Sequence, residues 1–271
     1  WDWVGGRFSI WSPIGLSVAL QIGVENFKQL IMGGFEMDEH FRYTPLIKNL
    51  PVMLALVGVW NRNFENLPAL AILPYDHRLR RFPAFIQQLD MESNGKTTNK
   101  NGVHIDKVTG PIVFGETGTN SQHSFFQALH QGSNPIPSDF ILVANPAHSL
   151  KTHHEALLAN AVAQTRALML GRPENNANGE PFRTCTGSRP TNTILIKTLD
   201  PKTLGRLIAL YEHKIFIQGL IWDINSFDQW GAELGKEMTS EILQAIKYPK
   251  SSPKLDSSTI NLMQIIKDWQ S

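Results

Sequence analysis

The sequence is short of nearly everything that marks a specialised class. Its 271 residues hold one cysteine, Cys185. No intrachain disulfide can form, which suits a reducing compartment and sets the expectation of a cytoplasmic protein. Thr184-Cys185-Thr186-Gly187 has no signature of a nucleophilic cysteine, so an incidental thiol is expected. There is no dense block of lysine or arginine, and the formal net charge is +1. Nucleic-acid binding rests on clustered basic charge, so no such partner is expected. The longest apolar run, Leu50 to Trp60, is interrupted by Pro51. It falls far short of the roughly 20 residues that span a bilayer, so no membrane partner is expected. Metal-ligand spacings such as CxxC and HExxH are missing, and no metal is expected. His153 and His154 are neighbours, and adjacent residues on a helix point in different directions. Neither a GxGxxG nor a P-loop occurs, so nucleotide cofactors have no support; a GxSxG elbow is also missing.

What is present is a composition that is 42% apolar and 18% charged, enough for one large domain or two small ones with a well-buried core. The chain opens Trp1-Asp2-Trp3-Val4-Gly5-Gly6-Arg7 with no initiator methionine or signal peptide, and reads as the middle of a fold. Short apolar runs at Ala69–Leu73, Pro111–Phe114, Ile136–Val143 and Thr193–Ile196 read as strands. Gln122–Gln131, His153–Leu170 and Pro201–His213 read as helices, the last with Asp200 as N-cap and Pro201 at N1. This alternation predicts an α/β fold with a mostly parallel sheet and helices on both faces. Ligands in such sheets bind at the carboxyl ends of the strands, so the motif loops are expected to gather there. Residues 171–190 read as a surface loop. After Lys247 the stretch Tyr-Pro-Lys-Ser-Ser-Pro breaks the pattern, and an amphipathic helix is expected from about Ser257 to Trp269.

Four polar stretches carry candidate chemistry. Val4-Gly5-Gly6-Arg7-Phe8-Ser9 offers glycines that let backbone approach a ligand and a permanent cation, or a Gly-rich turn with a solvated arginine. In Phe85 to Lys96 a helix is expected to end near Leu89 and give way to an Asn94-Gly95 turn. Gln88 and Glu92 at its mouth read either as a solvated helix end or as part of a site. Gly115 to His123 follows a strand and leads into a helix, which would put His123 in that helix's first turn, facing a dipole that favours a neutral ring. Ser226 to Lys236 places Gln229 and Lys236 seven residues apart on one helix face, or an i,i+3 pair of Glu233 and Lys236 on a surface.

Together these stretches resemble the phosphoglucose isomerase family over nearly the whole chain. Asp2-x-Val4-Gly5-Gly6-Arg7-Phe8-Ser9 looks like its first signature and Phe227-Asp228-Gln229-Trp230-Gly231-Ala232-Glu233-Leu234-Gly235-Lys236 like its second. Asp90 to Lys96, Gly115-Glu116, Gly118-Thr119-Asn120 and Tyr211-Glu212-His213-Lys214 match its usual wording. The resemblance implies a sugar-isomerase (SIS) fold. Residues 1–48 would be the tail of a first SIS domain, 49–230 a second, and 231–271 a C-terminal helix and arm. It implies a cofactor-free homodimer that interconverts glucose 6-phosphate and fructose 6-phosphate.

The resemblance also implies roles. Glu92 would carry the proton between C1 and C2 of the open-chain sugar, with Gln88 and Gly6 at the substrate beside it. Arg7 would face the developing enediolate. His123, reaching in from the neighbouring subunit, and Lys236 would open the ring, and Gln229 would contact the substrate. Two departures stand out. Ser121 occupies a position where the family usually has glycine. The family's phosphate-binding loops belong upstream of the Gly-Gly-Arg turn, so the chain is expected to be the C-terminal portion of a longer protein and inactive by itself. A noncatalytic sugar-phosphate-binding SIS module is the alternative. Retention of Arg7, Glu92, His123 and Lys236 together favours an enzyme over it.

Overall fold

The computed structural model describes every residue except 3, 174–179, 249–254 and 271. Trp3, part of the loop expected at 171–190 and most of the break after Lys247 lie outside the described residues. The chain forms two compact units, Trp1–Ser226 and Phe227–Ser271.

The first unit is built on a four-stranded parallel sheet in the order β2-β1-β3-β4. The strands are β1 Ala69–Pro74, β2 Ile112–Gly115, β3 Ser138–Asn145 and β4 Thr191–Thr198. Each end lies within two residues of the run read from sequence. The helices α1 Leu16–Ile22, α2 Val24–Tyr43 and α3 Leu50–Val59 precede the sheet; α4 Phe82–Asn94, α5 Gly118–Gln122, α6 Phe126–Gln131, α7 Lys151–Leu170 and α8 Pro201–Trp222 alternate with its strands.

The period-2 geometry of the strands divides the interior into two cores. Leu70, Ile72, Ile141, Val143 and Ile196 pack on one face against α2, α4 and α8. Ala71, Leu73, Phe140 and Leu142 pack on the other against α6 and α7. On the first face α2 crosses α8 at glycines: a Cβ on Gly33 would lie 1.8 Å from the Lys202 carbonyl oxygen, and one on Gly205 would lie 2.0 Å from that of Leu30. Only two bare backbones can approach that closely.

In the second unit, α9 runs Trp230–Lys247 and α10 runs Ser257–Gln270, the latter as the sequence pattern predicts. None of the described helices is long and apolar enough to cross a membrane.

Candidate active site

α4 does not end at Leu89. It continues to Asn94, with Gly95 as C-cap at φ −75°, so the Asn-Gly pair closes the helix itself rather than a turn after it. Gln88 and Glu92 are therefore four residues apart on one helix face, where side chains meet. Gln88 Nε2 donates to Glu92 Oε2 at 3.2 Å.

Arg7 comes to the same oxygen from the other end of the unit's sequence. Its Nε lies 3.2 Å from Glu92 Oε2, and its side chain is 8% exposed against 26% for Glu92. Arg7 Nη1 donates to Ser93 Oγ at 2.6 Å and to the Ser226 carbonyl at 2.8 Å. The contacts from Gln88 and Arg7 both fall on Glu92 Oε2, so Oε1 carries neither of them. A fixed cation beside a partly exposed carboxylate is an arrangement that can move a proton and hold an oxyanion. Neither Gly5 nor Gly6 has a positive φ, and a Cβ on either would meet open space. The chain's own packing does not demand glycine there, which leaves room beside Arg7 for a ligand.

This cluster lies at the end of the sheet opposite to the one expected. α4 starts beyond the carboxyl end of β1 and runs back, so that the Gly110 N–H, just before β2, donates to the Asn94 carbonyl at 3.0 Å. Glu92 and Arg7 therefore sit toward the amino edge. Of the motif stretches within the first unit, Gly115 to His123 is the one at the carboxyl edge, where Gln122 Nε2 donates to Tyr75 Oη at 3.0 Å. The reason is connectivity: a helix returning across one face delivers its last turn to where the next strand begins.

His123 is not in a helix's first turn. It is the C-cap of the five-residue α5, and α6 starts anew at Phe126. The break lets the consecutive Phe125 and Phe126 both turn inward, edge-on to Phe114 and Phe140 respectively. The first-turn placement expected for His123 therefore fails, and its side chain is exposed. Ser121 is fully buried and donates from Oγ to the Gly118 carbonyl at 2.6 Å, so the turn accommodates a side chain where a glycine was expected. In the second unit Gln229 is the N-cap residue of α9, and Lys236 is exposed in its second turn. Gln229 Nε2 donates to Glu233 Oε1 at 2.9 Å. His154 is buried with Nε2 3.0 Å from the Ala144 carbonyl while His153 is exposed, which separates the two rings as helical geometry requires.

Tyr211-Glu212-His213-Lys214 proves to be a hub. Successive residues on α8 point about 100° apart, and each of these four reaches a different part of the unit. Tyr211 Oη donates to Asp139 Oδ2 on β3 at 3.0 Å. Trp11 Nε1, in the segment after Arg7, donates to Glu212 Oε2 at 2.7 Å. His213 Nε2 lies 2.7 Å from Asp38 Oδ1 on α2. Lys214 Nζ lies 3.3 Å from Asp90 Oδ2 on α4, with side chains 2% and 0% exposed. Burial pushes the Tyr211 hydroxyl well above its ordinary range, and the neighbouring Asp139 adds to the shift. Burial also raises the Asp90 carboxyl, opposed by the Lys214 ammonium. Glu212 is pushed up to about 7 by burial, against the Trp11 hydrogen bond and with some help from Asp38. Sequence reading gave no role to Ser93, Ser226, Trp11 or Glu212, although Ser93, Ser226 and Glu212 lie within the quoted stretches.

The phosphoglucose isomerase family model matches residues 1–263. The chain belongs to the phosphoglucose isomerase family. Among its curated relatives, the glucose-6-phosphate isomerase of Methylocella silvestris is 50% identical over 97% of this chain and 51% of its own length. That of Chlorobium luteolum is 49% identical over 100% of this chain and 52% of its own length. A crystal structure of the glucose-6-phosphate isomerase from Chlamydia trachomatis superposes with a TM-score of 0.88 at 36% identity, over 99% of this chain and 51% of that one. A hypothetical protein from Thermus thermophilus gives 0.70 at 25% identity, over 88% of this chain and 55% of that one. The chain thus spans about half the length of the family members it matches.

Proposed function

We propose that this chain supplies the proton-transfer centre of an aldose–ketose isomerase acting on glucose 6-phosphate and fructose 6-phosphate. The observation that carries the reading is the meeting of Arg7, Gln88 and Glu92 on one carboxylate oxygen in a member of this family. Glu92 takes the proton from C2 of the open-chain aldose and returns it to C1, a task for one carboxylate that must both accept and give. Arg7 stabilises the cis-enediolate, whose charge exists only near the transition state. Gln88 steadies a sugar oxygen, and Gly6 leaves the space the sugar needs.

His123 moves the ring-opening proton, and in this reading a second copy of the chain supplies it. Support comes from topology: Glu92 and His123 belong to opposite edges of the sheet, separated by β1, which at roughly 3.3 Å per residue is on the order of 20 Å long. A second support is the exposed apolar residues Leu46, Ile47, Leu50, Met53, Leu56 and Trp60, a face that calls for a cover. Lys236 and Gln229 keep the ring-opening and substrate-contact roles that the resemblance gives them, and 49–230 its reading as a SIS domain. A cytoplasmic setting follows from the chemistry of glycolysis and gluconeogenesis.

The test is Glu92→Gln in the complete protein. It keeps the side chain's size and its bond to Gln88, and removes the base. Turnover of fructose 6-phosphate is expected to fall by roughly 10⁴-fold, the upper range for general acid–base catalysis, while sugar-phosphate binding persists. Near-normal turnover would rule Glu92 out as the proton carrier.

A further inference from the structure

Arg7 can act only if something fixes the segment that bears it. The described residues among 1–12 form no helix or strand of their own. The turn is also strained: Phe8, directly after Arg7, has φ 58°, a left-handed conformation that bulky residues avoid. Such a backbone persists only where its surroundings over-determine it.

Packing does not do this alone. A cavity of about 350 Å³ borders the segment, lined by Phe8, Trp11, Ile31, Phe35, Asp38 and Glu212. Across it, the indole of Trp11 lies over α2 at Gly34, where a Cβ would come within 2.6 Å of the ring. The indole N–H then reaches Glu212 Oε2 on α8 at 2.7 Å. Glu212 is 8% exposed, and its other oxygen has no hydrogen-bond partner among the described residues. A buried carboxyl with one oxygen unsatisfied is a poor choice for stability, since an apolar residue of that size would avoid the desolvation cost. The side chain that does bond to it is the tryptophan four residues beyond Arg7.

We propose that Glu212 is a positioning residue: by accepting the Trp11 indole proton it holds the strained turn that aims the Arg7 guanidinium at Glu92. This rests on the reading of Arg7 and Glu92 given above. Losing the bond frees the turn, and Arg7 then serves the transition state less well than it serves substrate binding.

The experiment compares Glu212→Leu, Glu212→Gln and Trp11→Phe in the complete protein. Glu212→Leu fills the same volume without an acceptor; kcat is expected to fall by about tenfold or more with KM within about twofold, because small displacements of a catalytic group are costly. Glu212→Gln keeps an acceptor oxygen and is expected to retain at least about half of kcat. Trp11→Phe should match the leucine variant, and the double variant should be no worse than either, the mark of a shared interaction. Wild-type kcat in Glu212→Leu, a matching rise in KM, failure of glutamine to rescue, or additive losses would each overturn the proposal. Isomerase activity of the unaltered protein is measured first, and its absence would sink the functional reading instead. In that event the NMR resonance of the Arg7 Nε–H decides: it should move in Glu212→Leu and stay in Glu212→Gln, and an unmoved resonance in both overturns the proposal.

Discussion

Glu212 is a carboxyl that the fold would rather keep protonated. Its pKa rises from 4.5 to about 7 mainly through burial, with Asp38 on α2 adding repulsion even though Asp38 is itself held by His213. In the unfolded chain the group ionises near its ordinary value. Between about pH 4.5 and 7 the folded state therefore binds one proton more than the unfolded state, and stability falls as pH rises through that window. At 1.36 kcal/mol per unit the drop is roughly 3 kcal/mol from this group. Glu212→Gln removes the titration, so its melting temperature should match that of the unaltered protein near pH 4.5 and exceed it above pH 7. A difference that does not vary with pH would show that folding does not raise the pKa of this group. Residues of this kind were hard to read from sequence. Arg7 and Glu92 stand beside turn-forming glycines and belong to recognisable motifs. Ser93, Ser226 and Glu212 lie in quoted stretches too, but nothing local tells what they bond: their partners are 86, 219 and 201 positions away.

At the scale of elements, the helices misread are those whose limits are set by distant contacts. α4 carries Asp90 at full burial, which looks like a helix breaker until Lys214 is brought to it across 124 residues. α8 runs nine residues past His213 because it is buried on several sides at once, with Leu207 through Glu212 all inside, and so loses the one-sided pattern by which a surface helix is recognised. The strands, each a short continuous apolar run, were legible to within two residues. The Asp90–Lys214 pair ties α4, and with it Glu92, to α8, beside the bond from Asn94 Nδ2 to the Ile215 carbonyl. Removing one member of a buried pair leaves the other's desolvation uncompensated, at a cost of about 3–5 kcal/mol. Lys214→Met is expected to destabilise by that amount in urea unfolding. Asp90→Leu combined with Lys214→Met should lose clearly less than the two single changes summed, because no charge is then stranded. Strict additivity would mean that the two groups do not depend on each other.

For the whole molecule, alternating strands and helices were enough to predict a parallel sheet, and the sheet is parallel. The order β2-β1-β3-β4 was not readable, because pairing partners leave no trace in local pattern. The location of the site followed that gap: the expectation of one cluster at the carboxyl edge fails because α4 delivers Glu92 to the amino edge while β2 delivers His123 to the other. In the proposed reading this separation has a functional consequence that subunit exchange can test. Let His123→Ala and Glu92→Gln be purified separately, each inactive, then mixed under conditions that exchange subunits. If every site joins Glu92 of one chain to His123 of another, a mixed dimer has one site carrying both lesions and one carrying neither. Statistical mixing makes half of the dimers mixed, so activity should return to about a quarter of that of the unaltered protein. If each site drew both residues from one chain, every site in the mixture would keep a lesion and activity would stay at background. Mixing without exchange should also stay at background, which separates true complementation from contaminating enzyme.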